Sequence, residues 1–355
     1  MQLSITIQPD EFTNAAAKAF DYNFNGISYF DSWAKPLVPE NYNIGLIIGP
    51  SGSGKTILLK EFGVEKVITW DNNKAIISHF LEPNEAINKL IAVGLNTIPA
   101  WCKPFHVLSN GEQFRANLAR KLENNAVIDE FTSVVDRNVA KSTSVATHRY
   151  IHNNNLKNIV FASCHYDILE WLCPDWYFDT SDGVLHDGRC LRRPTIELKI
   201  YPCKRNIWTM FAKHHYLSTT LNPTCRSYIS TASFNNELEI IVGFVSSLSL
   251  PSGTVKNAYR EHRTVVLPDY QGLGIGPRIS DAVAQIHINE GKRYFSRTAH
   301  PRFGEYRNNS PLWKATSKNR KKRDDIARRV KNGYNFNNYN FDDVRVCYSH
   351  EYIGK

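Results

Sequence analysis

The stretch NIGLIIGPSGSGKTILLKEF, residues 43 to 62, constrains the fold of this 355-residue chain more than any other. An apolar run (Ile44 to Ile48) reads as a strand buried on both faces, and the residues after the glycines read as a helix. Between them lies G-x-x-x-x-G-K-T, Gly49 to Thr56. Glycines at Gly49, Gly52 and Gly54, with Ser51 and Ser53 between them, let backbone N–H groups wrap a polyphosphate beside the positive end of a helix. Lys55 then reaches the β/γ oxygens and the Thr56 hydroxyl sits on Mg²⁺. A strand, loop and helix in this order belong to a parallel sheet covered by helices.

Further along, AVIDEFTSVVDR ends an apolar strand in paired carboxylates, Asp129 and Glu130. One carboxylate holds Mg²⁺ while the next polarises the attacking water, the division of labour that phosphoryl transfer needs. HVLSNGEQFRANLARKL lies upstream, and NIVFASCHYDILEWL puts His165 at the end of another strand.

In this order the motifs resemble those of an ABC-type ATPase over residues 44 to 185: Walker A (Gly49 to Thr56), signature LSNGE (Leu108 to Glu112), Walker B VIDE, D-loop TSVVD (Thr132 to Asp136) and switch His165. The resemblance implies that Asp129 binds Mg²⁺, Glu130 is the general base and His165 contacts the γ-phosphate. It also implies that Ser109 and Gly111 cap the ATP of a facing subunit in a head-to-tail homodimer. Asn110 and Glu112 stand where the family has Gly and Gln. Only 51 residues separate Thr56 from Leu108, so the helical subdomain is shortened. VITWDNNK lies where a Q-loop belongs without matching one. The aromatic that stacks on adenine is Tyr22, Tyr29 or Phe30.

A second glycine loop follows a strand and opens a helix in VVLPDYQGLGIGPRISDAV, residues 265 to 283. It departs from the dinucleotide fingerprint G-x-G-x-x-G, and no acidic residue ends a second strand. It is similar instead to the Q/R-x-x-G-x-G/A loop of the GNAT acyltransferases, and the strand and helix order from about Thr195 onward is similar to theirs. That resemblance implies that Gln271, Gly272, Gly274 and Gly276 present amides and room to the pyrophosphate of acetyl-CoA or another acyl-CoA. Backbone N–H groups at Val265 and Val266 would polarise the thioester carbonyl. His215 and Tyr216 are substrate-side groups in this reading, and Tyr306, with His300 nearby, stands where a tyrosine acid belongs. The fused order resembles a family of ABC-type ATPases joined to an acetyltransferase domain. HHYLS (His214 to Ser218) and TAHPRFGEYRNNSPLW (Thr298 to Trp313) are similar to short stretches of phage Mom-type DNA-modification proteins, which alter adenine.

Charge divides the chain the same way. From Ile196 onward there are 25 Lys and Arg against 13 Asp and Glu, and before it 18 against 21. The basic half is suited to a polyanion. Nine basic residues lie between Lys314 and Lys331, followed by Tyr334, Phe336, Tyr339 and Phe341 among asparagines. Phosphate contact with base stacking explains that pattern, and so does a grip on the CoA 3′-phosphate or a solvated loop. Seven cysteines without a CxxC pair argue for reduced thiols in a cytoplasmic setting. No ligand spacing supports a metal at His214, His215 or Cys225. There is neither an 18-residue apolar run nor a signal-like N-terminus, so the expectation is a protein without membrane contact.

The sequence therefore leads to an α/β chain: a P-loop ABC-type ATPase domain (1–190), a hinge around HDGRCLRRP, and an α+β GNAT-fold acyltransferase domain (195–355). The expected function is acyl-CoA-dependent N-acylation, of DNA bases first, under ATP control. The alternatives are tRNA, protein or polyamine amines as acceptors, or an ATP-switched DNA-binding or defence protein without acyl transfer.

Overall fold

A computed structural model describes residues 2–20, 22–215, 220–235, 238–252, 255–322 and 346–354. The chain forms two compact units, Met1–Leu95 with Ala100–Arg193, and Asn96–Pro99 with Pro194–Lys355.

Up to Arg193 the strands are β1 (Gln2–Thr6), β2 (Ile27–Asp31), β3 (Ile44–Ile48), β4 (Val127–Ile128), β5 (Ile159–Ser163), β6 (Trp176–Asp179) and β7 (Val184–Asp187). The helices are α1 (Glu11–Ala19), α2 (Lys55–Lys60), α3 (Pro83–Ala92), α4 (Ile98–Trp101), α5 (Asn110–Lys121), α6 (Arg137–Asn153) and α7 (Leu169–Leu172). β1 and β2 form a separate antiparallel pair. The main sheet runs β4-β5-β3-β6-β7; the first four strands are parallel and β7 is antiparallel to β6. Every residue of β3 and β5 is buried, which is why both read as unbroken apolar runs. Gly45 supplies room in β3: a Cβ there would lie 2.1 Å from the ring of Trp176 on the neighbouring strand. Trp176 in turn stacks on Phe62 at 5.5 Å.

The second unit holds β8 (Ile196–Cys203), α8 (Thr209–Ala212), β9 (Arg226–Phe234), β10 (Ile240–Ser249), β11 (Ala258–Val266), α9 (Ile275–Asn289), β12 (Arg293–Thr298), α10 (Pro301–Asn309), β13 (Trp313–Ala315), β14 (Lys321–Lys322) and β15 (Val346–Tyr352). The sheet order is β13-β15-β12-β11-β10-β9-β8, with β14 beside β15. All neighbours are antiparallel except β11 and β12. That parallel pairing covers only Ala258 to Arg260 against Arg293 to Phe295, so the two strands part beyond it. α9 lays Ile275, Ile279, Val283 and His287 in a buried row at helical spacing. The helix expected over residues 206–217 is shorter than its sequence suggests. It is a 3₁₀ turn (Arg205–Trp208) followed by one α turn, with His214 and His215 after it.

Candidate functional sites

In the first unit the chemistry-bearing residues follow the ends of adjacent parallel strands, where such sheets present ligands. The glycine loop follows β3, Asp129 and Glu130 follow β4, and His165 follows β5. Gly52 and Gly54 sit in the left-handed region at φ +78° and +90°, and Gly54 caps α2 there. A side chain is excluded from Gly49 because its Cβ would lie 2.0 Å from Thr180 Oγ1. That hydroxyl lies 2.5 Å from Ser53 Oγ and donates to Ile48 O at 3.1 Å, so the residue just after β6 holds the loop. Ser51 and Thr56 are exposed, while Lys55 is buried and donates to Pro50 O at 2.6 Å.

The fit to a polyphosphate rests on this cradle: two left-handed glycines, open space around Gly52 and a buried lysine on the loop. Trp33 escapes sequence patterns, yet its indole N–H donates to Ser53 O at 2.9 Å. Of the three candidate adenine partners, Phe30 lies against the loop, with its ring 3.1 Å from a Cβ built on Gly54.

Glu130 and Thr132 are non-glycine residues at φ +49° and +69°, a strained path of the kind that accompanies functional segments. Ser133 donates to Glu130 Oε2. Asp129 N–H and Lys121 both donate to Glu65 Oε1, at 3.1 Å and 2.6 Å, so Glu65 braces the strand end that carries the carboxylates. Asp129 and Glu130 open into a cavity of about 420 Å³ shared with Asn110, Gln113, Asn117 and Lys121. Burial, with Arg137 adding to it, holds the His165 imidazole below its ordinary pKa, while Asp167 and Glu130 oppose that shift. Ser109 caps α5 reciprocally with Glu112: Ser109 N–H donates to Glu112 Oε2 at 3.0 Å, and Glu112 N–H donates to Ser109 Oγ at 3.4 Å. The capping box explains Glu112 locally, since Glu and Gln serve it equally. Gly111 lies in the first turn of α5. The VITWDNNK segment turns to α5: Trp70 donates to Asn117 Oδ1 at 2.7 Å and stacks on Phe105.

The second unit repeats the strand, glycine loop and helix. Gly272 and Gly274 are left-handed at φ +91° and +78°, and Gly274 caps the 15-residue α9. Gly276 has a packing role as well. It lies inside α9, where a Cβ would come within 3.1 Å of Phe303 and 3.6 Å of Val266, so its bareness serves helix packing. The Gln271 side-chain N–H donates to Val266 O at 3.0 Å, and its Oε1 is buried without a partner among the described residues. Two left-handed glycines at a helix start, with an unmatched acceptor beside them, fit the amide-rich pantetheine and pyrophosphate of an acyl-CoA.

The ladder separates the two valines. Leu267 N–H donates to Val242 O, so alternation along β10 and β11 commits Val265 N–H to Phe244. Val266 N–H turns the other way, toward the side from which β12 has departed. Of the two expected amides, Val266 is therefore the one that faces the opening.

A register shift leaves His262 as an extra residue of β11 opposite Ser246 and Ser247, a β-bulge. Asn222 N–H donates to His262 Nε2 at 3.4 Å. His215 sits with its ring 5.8 Å from that of Trp208. Burial pushes His215 down to about 4, aided by Arg263 and His262, and His262 is likewise held at about 4 by burial, Arg263 and Arg260. Both imidazoles are neutral near pH 7. Tyr216 lies outside the described residues, as do Arg323 and the aromatics from Tyr334 to Phe341.

Tyr306 is held by its partners. Its hydroxyl donates to Asp281 Oδ2 at 2.5 Å, beside a 2.7 Å bond from Trp313 Nε1 to Asp281 Oδ1. Burial and Asp281 push Tyr306 up to about 12, so the phenol is protonated near neutral pH. His300 caps α10, accepting from Phe303 N–H at 3.5 Å, and is pushed to about 4 mainly by burial. Among the described residues no group of three His, Cys, Asp or Glu side chains is placed to hold a metal ion. No described helix is long and apolar enough to cross a membrane.

Residues 194–303 match the model of the acetyltransferase (GNAT) family. The C-terminal unit carries a GNAT acetyltransferase domain. Solved structures similar to this chain include an ATP-binding cassette, a dimer in a post-hydrolysis state bound to ADP and Pi. It aligns over 53% of this chain and 99% of its own, at 14% identity and a TM-score of 0.38. The IAA acetyltransferase from Bacillus cereus aligns over 44% of this chain and 99% of its own, at 10% identity and a TM-score of 0.28. A Bacillus subtilis acetyltransferase in complex with CoA aligns over 44% and 98%, again at 10% identity and 0.28. Among curated proteins none matches the sequence.

Proposed function

We propose that residues 1–190 bind and hydrolyse MgATP as an ABC-type cassette that closes head to tail with a second copy. Residues 195–355 then transfer an acyl group from an acyl-CoA to an amine on a polyanionic acceptor, nucleic-acid bases first. The observation that carries this reading is the repeated local geometry. Each unit has a strand, two left-handed glycines (Gly52 and Gly54, Gly272 and Gly274) and a helix. One loop neighbours a carboxylate pair suited to phosphoryl transfer, and the other neighbours a parted strand pair with neutral histidines.

Bound at the first loop, Mg²⁺ would supply charge neutralisation for the transferring phosphoryl group. Thr56 and Asp129 are the residues to hold it, Lys55 and the loop amides bind the nucleotide, and Glu130 orients water. Neutral His165 donates a hydrogen bond to the terminal phosphate. Ser109 and Gly111 present the α5 N-terminus to the partner's nucleotide.

At the second loop, the turn from Gly272 to Gly274 at the start of α9 binds the pyrophosphate, and Val266 N–H steadies the negative charge that develops on the thioester oxygen. His215 takes the proton of the acceptor amine as the C–N bond forms and the C–S bond breaks. The departing thiolate takes up that same proton, so the transfer balances without a separate acid. The excess of basic residues after Ile196 supports a polyanionic acceptor over a polyamine, which it would repel. The short likeness of residues 214–218 and 298–313 to phage DNA-modification proteins supports the same choice. The cytoplasm, with its ATP and acyl-CoA, is the setting this chemistry requires.

Nucleoside mass spectrometry of DNA and RNA from cells making the protein tests this reading. A new base mass, absent with Gly274→Glu, is expected, and Glu130→Gln reports whether hydrolysis is needed. Unmodified DNA and RNA, with the protein folded and CoA-bound, overturn the nucleic-acid acceptor and direct the search to protein or polyamine amines.

A further inference from the structure

β11 and β12 stop pairing at Arg260 and Phe295. The next residue on each strand, Glu261 and Ser296, is joined to the other by a side chain instead of a ladder bond: Ser296 Oγ donates to Glu261 Oε2. Arg307 Nη2, from α10, donates to the same oxygen at 2.6 Å and to Ser280 Oγ of α9 at 2.9 Å. The other carboxylate oxygen accepts from Thr264. A single carboxylate thus ties β11, β12 and α10 together where the strands separate, and it spans the His262 bulge to reach the residues just before Val266.

The pair is poorly built for stability alone. Both side chains are almost wholly buried, at 1% and 9% exposure, and Arg307 Nε and Nη1 have no partner among the described residues. The faces of the guanidinium are covered by Phe303 and Trp313, each 4.5 Å from its carbon. Desolvating two charges and leaving donors unmatched offsets much of their attraction, so a buried pair of this kind contributes little net stability. Its value lies in where it holds the chain.

We infer that Glu261 and Arg307 are positioning residues: they pin the vertex of the parted strands and thereby aim Val266 N–H at the thioester carbonyl. This rests on the acyltransferase reading above. The pair touches neither reacting atom; it acts through the course of β11 from Glu261 to Val266. Because Arg307 holds Glu261 and the latter has no free oxygen, the carboxylate is a fixed strut.

Isotope-edited infrared spectroscopy of acetyl-CoA labelled with ¹³C at the thioester carbonyl tests the inference on the full chain. The variants are Glu261→Gln and the apolar double Glu261→Leu with Arg307→Met, and calorimetry supplies Kd. In the unchanged protein the bound carbonyl band falls below that of free acetyl-CoA. In the folded double variant Kd is expected to stay within about threefold, because the phosphate loop is intact, while the band returns to its free position. Glu261→Gln, which keeps shape and loses charge, should lie between and serves if the double variant does not fold. A band still shifted in Glu261→Gln and in a folded double variant would overturn the inference, as would loss of CoA affinity in step with loss of Tm. Absence of acetyl-CoA binding or of a shift in the unchanged protein would overturn the acyltransferase reading instead.

Discussion

Gly52→Ala is a clean perturbation because a Cβ built there meets no atom within 4 Å, yet φ is +78°. The cost is therefore conformational alone, about 1–2 kcal/mol for an L-residue held left-handed. Strain of that size divides in one of two ways. If the substituted loop keeps its shape, the protein loses the full amount in stability and MgATP affinity is unchanged. If the loop relaxes, stability is spared and binding must restore the strained shape, weakening Kd by roughly 5- to 30-fold. The two losses together should equal the same 1–2 kcal/mol. Urea denaturation of the ligand-free protein and calorimetric titration with MgATP measure them separately. Gly49→Ala sets the comparison. There the Cβ would lie 2.0 Å from Thr180 Oγ1, so the loss should exceed that at Gly52. A combined loss at Gly52 below about 0.5 kcal/mol would mean that the loop is not left-handed there. One above about 3 kcal/mol would mean that the Cβ collides with the nucleotide, and the reasoning from open space would fail.

Three further outcomes are expected. Burial holds the fully buried His287 and His350 at about 4. As pH falls below about 6.5 the unfolded chain takes up protons that the folded chain refuses, so stability drops by about 1.3 kcal/mol per histidine between pH 7.5 and 5.5. Urea denaturation at the two values checks this; His350→Gln should lessen the drop by about 1.3 kcal/mol, one histidine's share, and an unchanged stability refutes it. Glu130→Gln should lower ATP turnover by about 10²-fold or more with nucleotide affinity kept, read as phosphate release against calorimetric Kd. Nucleic-acid binding should weaken steeply with salt, and Lys318→Ala with Lys321→Ala should flatten the plot of log K against log salt by about one for each phosphate no longer neutralised. An unaltered slope would remove both lysines from the interface.

The parts legible in the sequence are those whose signal is local. A strand, left-handed glycines and a helix start occupy consecutive residues in both loops, so each site can be read from a short window. What stays hidden depends on partners far apart in the chain. Glu65 braces Asp129 across 64 residues, and Arg307 reaches Glu261 across 46. Nothing in either local pattern distinguishes these groups from solvated charges. Trp33 likewise donates to the loop across 20 residues. Val265 and Val266 are indistinguishable as letters, and only the pairing parity of β10 with β11 separates them. Gly276 fits the loop motif by spacing, but Phe303, brought in by α10, gives it a packing role. Order along the chain singles out Tyr306 as an acid, yet it carries no information about Asp281 on the facing helix.

The proposed function requires the two glycine loops to serve two different ligands. Calorimetric titration of the full chain with MgATP and with acetyl-CoA tests it most directly, beside Lys55→Ala and Gly274→Glu. One site per chain is expected for each ligand, with loss of ATP alone in Lys55→Ala and loss of acetyl-CoA alone in Gly274→Glu. Competition between the two ligands for one site, or an acetyl-CoA affinity that Gly274→Glu leaves intact, would contradict it.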